Sequence, residues 1–419
     1  MSVEAVGRQP AQAPGAGARR RGLVALLIGN FFMWGGFFMV IPLISVHYVD
    51  QLGWAAGTIG LILALRQLTQ QGLTLFGGAL ADRLGAKGLI CAGLLIRALG
   101  FAGMAWAHTF PLLLLTTLLA ALGGALFESP RSAAIAALTD ETNRARFYSL
   151  SGAVGGLGMT IGPLVGALLI KIDFALVSLV AAGCFGTTFL VTLLLLPPVQ
   201  VASGQHGLTY GIGLALRDRP FMAFNVLLMG YWFMWVQLSI ALPLEATAIG
   251  GTSDAVSWVY MLNSGMSVLL QYPLLRLAER WLRPLPILVL GLALMAAGLG
   301  GVAFAETIAA LLLCVVLFSA GALLAQPSQQ TVVAGLANPA ALGSYFGVNA
   351  LALAIGGGLG NYSGGLLYGL ARQWGTPALP WLVFSTVGLG AALGLALLHR
   401  RQIAHHRAPE PAAALSGRR

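Results

Sequence analysis

The sequence has 419 residues, of which 58% are apolar and only 9% charged, whereas soluble proteins carry about 25% charged residues. Its net charge of +10 comes from 23 basic and 13 acidic residues. So few charges cannot cover the surface of a soluble domain, which excludes a soluble enzyme, a disordered chain and a nucleic-acid-binding protein. The composition predicts an all-α integral membrane protein.

The N-terminal residues 1–21 are rich in Ala, Gly and Pro and end in three arginines. The apolar run that follows extends from Gly22 to Tyr48. A signal peptide has an apolar core of only about 7–15 residues. We therefore expect this run to be an uncleaved first membrane span.

Twelve apolar stretches are long enough to cross a bilayer, which takes about 20 residues of helix. They lie at 22–48, 55–79, 88–107, 111–138, 147–170, 174–196, 221–244, 257–277, 284–305, 307–336, 344–370 and 378–398. The longest interruption falls in the middle of this series. It predicts one six-helix bundle at 22–196, a cytoplasmic linker at 197–220 and a second bundle at 221–398, with cytoplasmic tails at 1–21 and 399–419.

Basic residues indicate the orientation, because they concentrate in the cytoplasmic loops of membrane proteins. If the N-terminus is cytoplasmic, 19 of the 23 basic residues fall on that side. Only Lys171 and Arg372 fall on the opposite side, while Arg66 and Arg97 lie within spans. We predict a multi-pass protein with both termini in the cytoplasm.

Three short motifs of the first half recur in the same order in the second half, at offsets of 197 to 201 residues. They are Phe32-Met33-Trp34 with Phe233-Met234-Trp235, Leu80-Ala81-Asp82-Arg83 with Leu277-Ala278-Glu279-Arg280, and Gly124-Ala125-Leu126 with Gly321-Ala322-Leu323. Parallel repeats of six spans predict two bundles related by an axis along the membrane normal, with substrate bound between them near the midplane.

The loop after the second span reads GALADRLGAK at 78–87. It resembles the signature loop of the major facilitator superfamily. The matching positions, which we expect to act as a conformational gate, are Gly78, Asp82, Arg83, Gly85 and Lys87. At position 86, where the superfamily usually has a basic residue, this chain has Ala86. Part of the loop recurs in the second half, with Glu279 and Arg280 at the positions of Asp82 and Arg83. The resemblance implies the major facilitator fold, and Asp82 is expected at the start of the eleventh span, where a carboxylate stabilises a helix N-terminus.

The fifth span reads GMTIGPLVGA at 158–167, which resembles the antiporter motif of the same superfamily. Gly158, Gly162 and Gly166 form a stripe that allows close helix packing, and Pro163 bends the helix. Two interpretations remain open: a seam that holds the inner gate shut and limits leak, or generic packing of small residues.

Two further segments, at 66–72 and 127–131, resemble multidrug resistance proteins of this superfamily. That resemblance implies proton-driven export of drug-like compounds and a location in the bacterial inner (cytoplasmic) membrane. It covers most of residues 20–400.

Arg66 and Arg97 lie near the middle of their spans, where a charge is costly and requires a partner or an aqueous cavity. Gln70 is one turn beyond Arg66, so both share a helix face. Arg66 therefore either lines a cavity or forms a buried clamp, with Glu128 or with carbonyl groups, that holds helices together. Arg97 is in the third span, which is usually peripheral in this superfamily, so a structural role is favoured for it. Glu128 is the acid well inside a span and is the proton-coupling candidate, with a fixed ion pair as the alternative.

The first and seventh spans line the cavity in this superfamily, and they carry aromatic and soft side chains at midplane depth. With Arg66 and Gln70, the candidate substrate-binding residues are Asn30, Trp34, Tyr231, Met234, Trp235 and Gln237. Such a surface suits varied hydrophobic ligands, although core packing is the alternative for the aromatic residues.

The leading hypothesis is a secondary active transporter that exports hydrophobic, drug-like compounds by proton antiport with alternating access. A rival is an exporter of an anionic metabolite that uses the midplane arginines. A remote third is a membrane-embedded enzyme or sensor. The sequence has no Walker-type loop, no His-Glu-x-x-His run and no Gly-x-Ser-x-Gly elbow, which argues against an enzyme, a cofactor or a metal. We expect a monomer in the lipid bilayer whose partners are protons and a small-molecule substrate.

Overall fold

The computed structural model describes residues 15–198, 208–252, 254–338 and 341–407. Within these ranges, the side chains of 75–84, 129, 133, 136, 141–146, 149, 208–210, 342–343 and 401–407 are outside the description. The predicted gate residues Gly78, Asp82 and Arg83 fall in the first of these segments. Their predicted contacts therefore lie outside the described residues.

The described chain consists almost entirely of helices, twelve of them long. They are α1 (Ala16–Gln51), α2 (Ala56–Leu84), α3 (Ala86–Met104), α4 (Phe110–Leu138), α5 (Glu141–Leu169), α6 (Phe174–Leu195), α7 (Arg219–Gly250), α8 (Asp254–Glu279), α9 (Pro284–Val302), α10 (Ile308–Leu336), α11 (Leu342–Trp374) and α12 (Leu379–Arg407). A short linker helix, Leu208–Arg217, precedes α7.

Nine helical segments within the described residues are long and apolar enough to cross a membrane. The other three long helices, α2, α8 and α11, have 29, 26 and 33 residues, so they also exceed the length that a bilayer requires. Each of these three carries polar residues along its length, such as Arg66 and Gln70 in α2. The all-α membrane fold is confirmed, and the twelve long helices of the described chain are consistent with two six-helix bundles.

The two bundles repeat the same helix crossing. In the first bundle, a β-carbon on Gly93 of α3 would lie 2.7 Å from the carbonyl oxygen of Gly123 on α4. In the second bundle, 198 residues later, a β-carbon on Gly291 of α9 would lie 2.7 Å from the carbonyl oxygen of Gly321 on α10. Only glycine permits backbones to approach this closely. The repeat is therefore also a repeat of packing, in which Gly321 corresponds to Gly123, one position away from the sequence pairing of Gly321 with Gly124.

Consecutive helices are joined by short connections and run in opposite directions, so the connections alternate between two opposite faces of the molecule. We call the face with the linker helix and the end of α12 the linker face, and the opposite one the loop face. On the loop face, the bundles meet along two helix pairs, α2 with α11 and α5 with α8. Ion pairs also join them there, Arg372 with Asp50 at 3.4 Å and Lys171 with Asp254 at 2.9 Å.

A break in α7 supplies two more contacts between helices on the loop-face side. The helix tightens into a 3₁₀ turn at Val236–Ser239, and Pro243 lacks the N–H that would bond to the carbonyl of Ser239. The hydroxyl of Ser45 on α1 donates to that carbonyl at 3.4 Å. The hydroxyl of Tyr260 donates to the carbonyl of Leu238. The irregular turn in α7 thus leaves backbone carbonyls that accept hydrogen bonds from α1 and α8.

Candidate substrate cavity

A cavity of about 650 Å³ lies between the two bundles, within the range typical of small-molecule sites. Its lining comes from α1 to α5 on one side and from α7, α8, α10 and α11 on the other. These residues belong to the middle of the helices and to their linker-face halves. Because the loop-face halves contact each other, the cavity is closed on the loop face.

All four charged residues among the described lining residues belong to the first bundle. They are Arg66, Arg97, Glu128 and Arg131. The second bundle contributes neutral polar and aromatic side chains only. The described cavity wall therefore carries a net charge of +2, concentrated on one side.

Arg66 is held by two glutamines of its own helix. Its Nη1 donates to Gln70 Oε1 at 3.1 Å and its Nη2 donates to Gln67 Oε1 at 2.9 Å. The residue is only 8% exposed. Among the described residues Glu128 forms no ion pair within 4 Å, so the clamp between Arg66 and Glu128 is not formed. Arg66 lines the cavity instead.

Arg97 is 4% exposed and lies in the same cavity wall, although its helix is the third. Its guanidinium carbon is 5.1–5.9 Å from the centres of four phenylalanine rings, at Phe37, Phe101, Phe127 and Phe185. Arginine is stabilised over aromatic faces at such distances. The ring of Phe37 also lies 5.2 Å from the guanidinium of Arg66, so one ring contacts both cations.

Arg131 is a cavity residue that the sequence analysis did not select. Its Nη2 donates to Asn30 Oδ1 at 2.5 Å and to Ser151 Oγ at 3.3 Å. The amide of Asn30 in turn donates to the carbonyl of Ser151 at 2.6 Å. This network joins α4, α1 and α5 and fixes Asn30 at the cavity wall.

The second bundle lines the cavity with Trp232 and Trp235 from α7 and with a row of polar side chains. The polar residues recur every fourth position, at Asn263, Ser267 and Gln271 on α8 and at Gln326 and Gln330 on α10. Residues four apart share one face of a helix. This spacing is visible in the sequence and could have identified them.

The structure brings five of the eight predicted substrate-binding residues into the cavity wall: Asn30, Trp34, Arg66, Gln70 and Trp235. Tyr231, Met234 and Gln237 are fully buried in the second bundle and are not among the lining residues. The reason is the rotation of α7, whose cavity face carries 232, 235, 236, 238 and 239.

Gln237 shows what such a buried position does. Its Nε2 donates to the carbonyl of Phe233 and to that of Gly360 on α11, each at 2.9 Å. The side chain therefore ties α7 to α11 rather than contacting the cavity.

The glycine stripe of α5 packs within the first bundle. β-Carbons on Gly158 and Gly166 would lie 2.5 Å and 2.6 Å from the carbonyl oxygens of Phe31 and Met39 on α1, and Gly162 lies against Gly35 between them. The adjacent Pro163 lies between the bundles: its carbonyl accepts a hydrogen bond from Ser257 on α8 at 3.1 Å.

The other predicted gate residues lie at the linker face. Gly85 has φ +82° and turns the chain between α2 and α3, a conformation that glycine adopts without strain. Lys87 is partly exposed, and Glu279 and Arg280 are exposed at the end of α8.

Comparison with known proteins identifies the family. The profile of the Major Facilitator Superfamily matches residues 26–247 and 225–417. The multidrug resistance protein MdtH of Aeromonas hydrophila is 41% identical over 385 residues, which cover 92% of this chain and 97% of that protein. MdtH of Proteus mirabilis is 40% identical over 384 residues, covering 92% and 95% of the two chains. The predicted resemblance to multidrug resistance proteins of this superfamily is confirmed.

Solved structures share the fold at low sequence identity. A POT family transporter in complex with a thioalcohol-conjugated peptide has a TM-score of 0.77 and 16% identity, with 91% of this chain and 96% of that chain covered. The nucleoside transporter NupG has a TM-score of 0.75 and 16% identity, with coverage of 91% and 99%. At this identity the likeness establishes the fold alone.

Proposed function

This chain belongs to the Major Facilitator Superfamily, and we propose that it exports hydrophobic, drug-like compounds across the bacterial inner membrane by proton antiport. The observation that carries the proposal is a drug-sized cavity lined by Trp34, Trp232 and Trp235, in a chain about 40% identical to multidrug resistance proteins. Flat aromatic walls accept varied apolar ligands. The protein acts as a transporter and not as an enzyme.

The two-bundle architecture supports a mechanism of alternating access. The linker face is cytoplasmic in this proposal, so the cavity takes up compounds from the cytoplasm. Rocking of the bundles then separates the loop-face contacts, such as Arg372 with Asp50 and Ser257 with Pro163, and opens the cavity to the outside.

Glu128 is the proton carrier in this scheme. It lines the cavity, is exposed to it and forms no ion pair within 4 Å among the described residues. A carboxylate that is free of a fixed partner can gain and lose a proton during the cycle. The three cavity arginines lie in the same wall, so movement of the helices changes the electrostatic surroundings of this carboxylate.

The test is substrate-induced proton movement in everted membrane vesicles acidified inside by respiration. A panel of lipophilic cations, neutral drugs and organic anions is added, and proton release is followed with a pH-sensitive dye. We expect release in the wild type and none in Glu128→Gln. The matched control is Glu306→Gln, which removes an exposed carboxylate outside the cavity and outside the predicted gate and should leave release intact. Absence of transport for every compound in the panel would refute the proposal.

Export of an anionic metabolite is the second candidate, because the described cavity wall carries a net charge of +2. Cation export usually employs several acids, whereas the described wall has one acid, Glu128, among three arginines, a balance that suits an anion better than a cation. Release of protons by small hydrophilic anions alone would favour this candidate over drug export.

A further inference from the structure

Three nitrogens of the cavity arginines are buried without a hydrogen-bond partner among the described residues. They are Nε of Arg66 and Nε and Nη1 of Arg97. An unpaired buried donor is costly, and more so when it carries charge. Buried arginines normally meet carboxylates, but the acceptors at Arg66 are the neutral oxygens of Gln67 and Gln70.

The repeat shows that packing does not require Arg97. A β-carbon on Gly123 would lie 2.5 Å from the backbone nitrogen of Arg97. At the equivalent crossing of the second bundle, a β-carbon on Gly321 would lie 2.6 Å from the backbone nitrogen of Met295. The same helix crossing thus forms with an apolar side chain. The charge at position 97 is therefore not required for α3 to pack against α4.

Gly124 makes room for the charged head of Arg97. A β-carbon at Gly124 would collide with Arg97 Nη1 and would lie 2.9 Å from Cδ of Gln70. The guanidinium of Arg97 and the amide of Gln70 therefore lie side by side over Gly124. The equivalent position of the second bundle is Ala322, which lacks this space.

From these contacts we infer that Arg66 and Arg97 together bind a carboxylate carried by the exported compound. The inference rests on the proposed function and specifies its substrates as aromatic carboxylic acids. The carboxylate replaces Gln70 Oε1 at Nη1 of Arg66 and pairs with Arg97, since charged acceptors bond guanidinium more strongly than neutral amides. The aromatic part of the compound lies against Trp34 and Trp235 in the wider cavity.

The primary test compares aromatic acids with their methyl esters, which keep the rings and lose the charge. Binding to purified protein in detergent is measured by calorimetry at low salt. We expect each acid to bind about 10- to 100-fold more tightly than its ester, the range for hydrogen bonds to a charged group. Equal affinities in the wild type would overturn the inference without any variant being needed.

Two variants then locate the site. Arg66→Gln removes one cation, and Gly124→Ala keeps both cations but displaces the head of Arg97. Each should lower the affinity for acids about tenfold or more and change ester affinity less than about twofold. The controls are Arg276→Gln, which removes an exposed arginine of α8, and Gly186→Ala, where a β-carbon meets nothing within 4 Å. Loss of acid preference in the controls, or its retention in both variants, would contradict the assignment.

Two further measurements distinguish a carboxylate site from drug export without such a site and from a site occupied by an inorganic anion. Export of esters and cations as efficient as export of acids would leave drug export standing and overturn the carboxylate site. A titration with sodium chloride tests an inorganic occupant. Arg66-dependent thermal stabilisation by chloride, with no further effect of aromatic acids, would likewise overturn it.

Discussion

Gly60 offers a direct test of how the two bundles close on the loop face. It lies on α2 where this helix meets α11, and a β-carbon there would lie 2.6 Å from the carbonyl oxygen of Asn361 and 3.1 Å from that of Tyr362. Both are backbone atoms of a helix and cannot rotate away. We therefore expect Gly60→Ala to oppose loop-face closure specifically.

The size of the effect follows from the overlap. Forcing an additional carbon into a well-packed interface costs about 1–3 kcal/mol. Because the overlap exists only when the loop face is closed, this free energy shifts the conformational equilibrium rather than folding alone. The ratio of linker-face-open to loop-face-open protein should fall by about 5- to 150-fold.

Thiol labelling from each face measures this ratio. In a background without the three native cysteines, Ser267→Cys reports on the cavity and Ser257→Cys on the loop-face interface. With Gly60→Ala, a membrane-impermeant maleimide should label the first more slowly from the linker face and the second faster from the loop face. The matched control is Gly72→Ala on the same helix, where a β-carbon meets nothing within 4 Å.

The reciprocal change is essential to the reasoning. Wild-type labelling rates at both positions in a normally folded Gly60→Ala protein would refute the idea that this contact holds the loop face closed. Faster labelling at both positions would indicate local unfolding, and it would also count against a shift between two states.

Three further predictions concern individual side chains. Tyr231→Phe removes a buried hydroxyl that has no acceptor among the described residues; thermal unfolding should show about 1–3 kcal/mol of added stability, with drug export unchanged. Arg131→Ala leaves Asn30 without its donor and should lower the unfolding free energy by about 1.5–3 kcal/mol, whereas an unchanged midpoint would contradict the network. Lys171→Gln removes the exposed ion pair with Asp254. The free energy of loop-face closure, obtained from the labelling rates, should change by at most about 1 kcal/mol at low salt and should not change at 1 M salt, where charges are screened.

The helices and the two-bundle arrangement could be predicted from sequence because the membrane itself imposes them. A helix must cross a hydrocarbon core of about 30 Å, so apolar length alone located the spans. Arg66 and Gln70 were predicted for the same reason, since a charge at midplane depth requires a polar surrounding.

The rotation of each helix could not be predicted in this way. In a soluble helix, the apolar stripe identifies the buried face, but α7 is apolar on all sides and its sequence fixes only the depth of each residue. Depth alone predicted Tyr231 and Met234 at the cavity as well as Trp235, but both are fully buried inside the second bundle, where Met234 lies against Gly388 of α12. The sequence also could not predict that the glycine stripe beginning at Gly158 packs against α1. Small residues allow a helix to approach closely but do not specify which helix approaches.

The one-sided charge of the cavity has an electrical consequence. Moving one elementary charge through the whole membrane potential changes its energy by about 2.3 kcal/mol per 100 mV. The described cavity charges sum to +2 and all belong to the first bundle, so they would move together in the proposed rocking motion. A displacement across one tenth of the field would then contribute about 0.5 kcal/mol per 100 mV. The carboxylate inferred above to bind Arg66 and Arg97 would halve the moving charge, and the membrane voltage would therefore act more strongly on the empty transporter than on the loaded one.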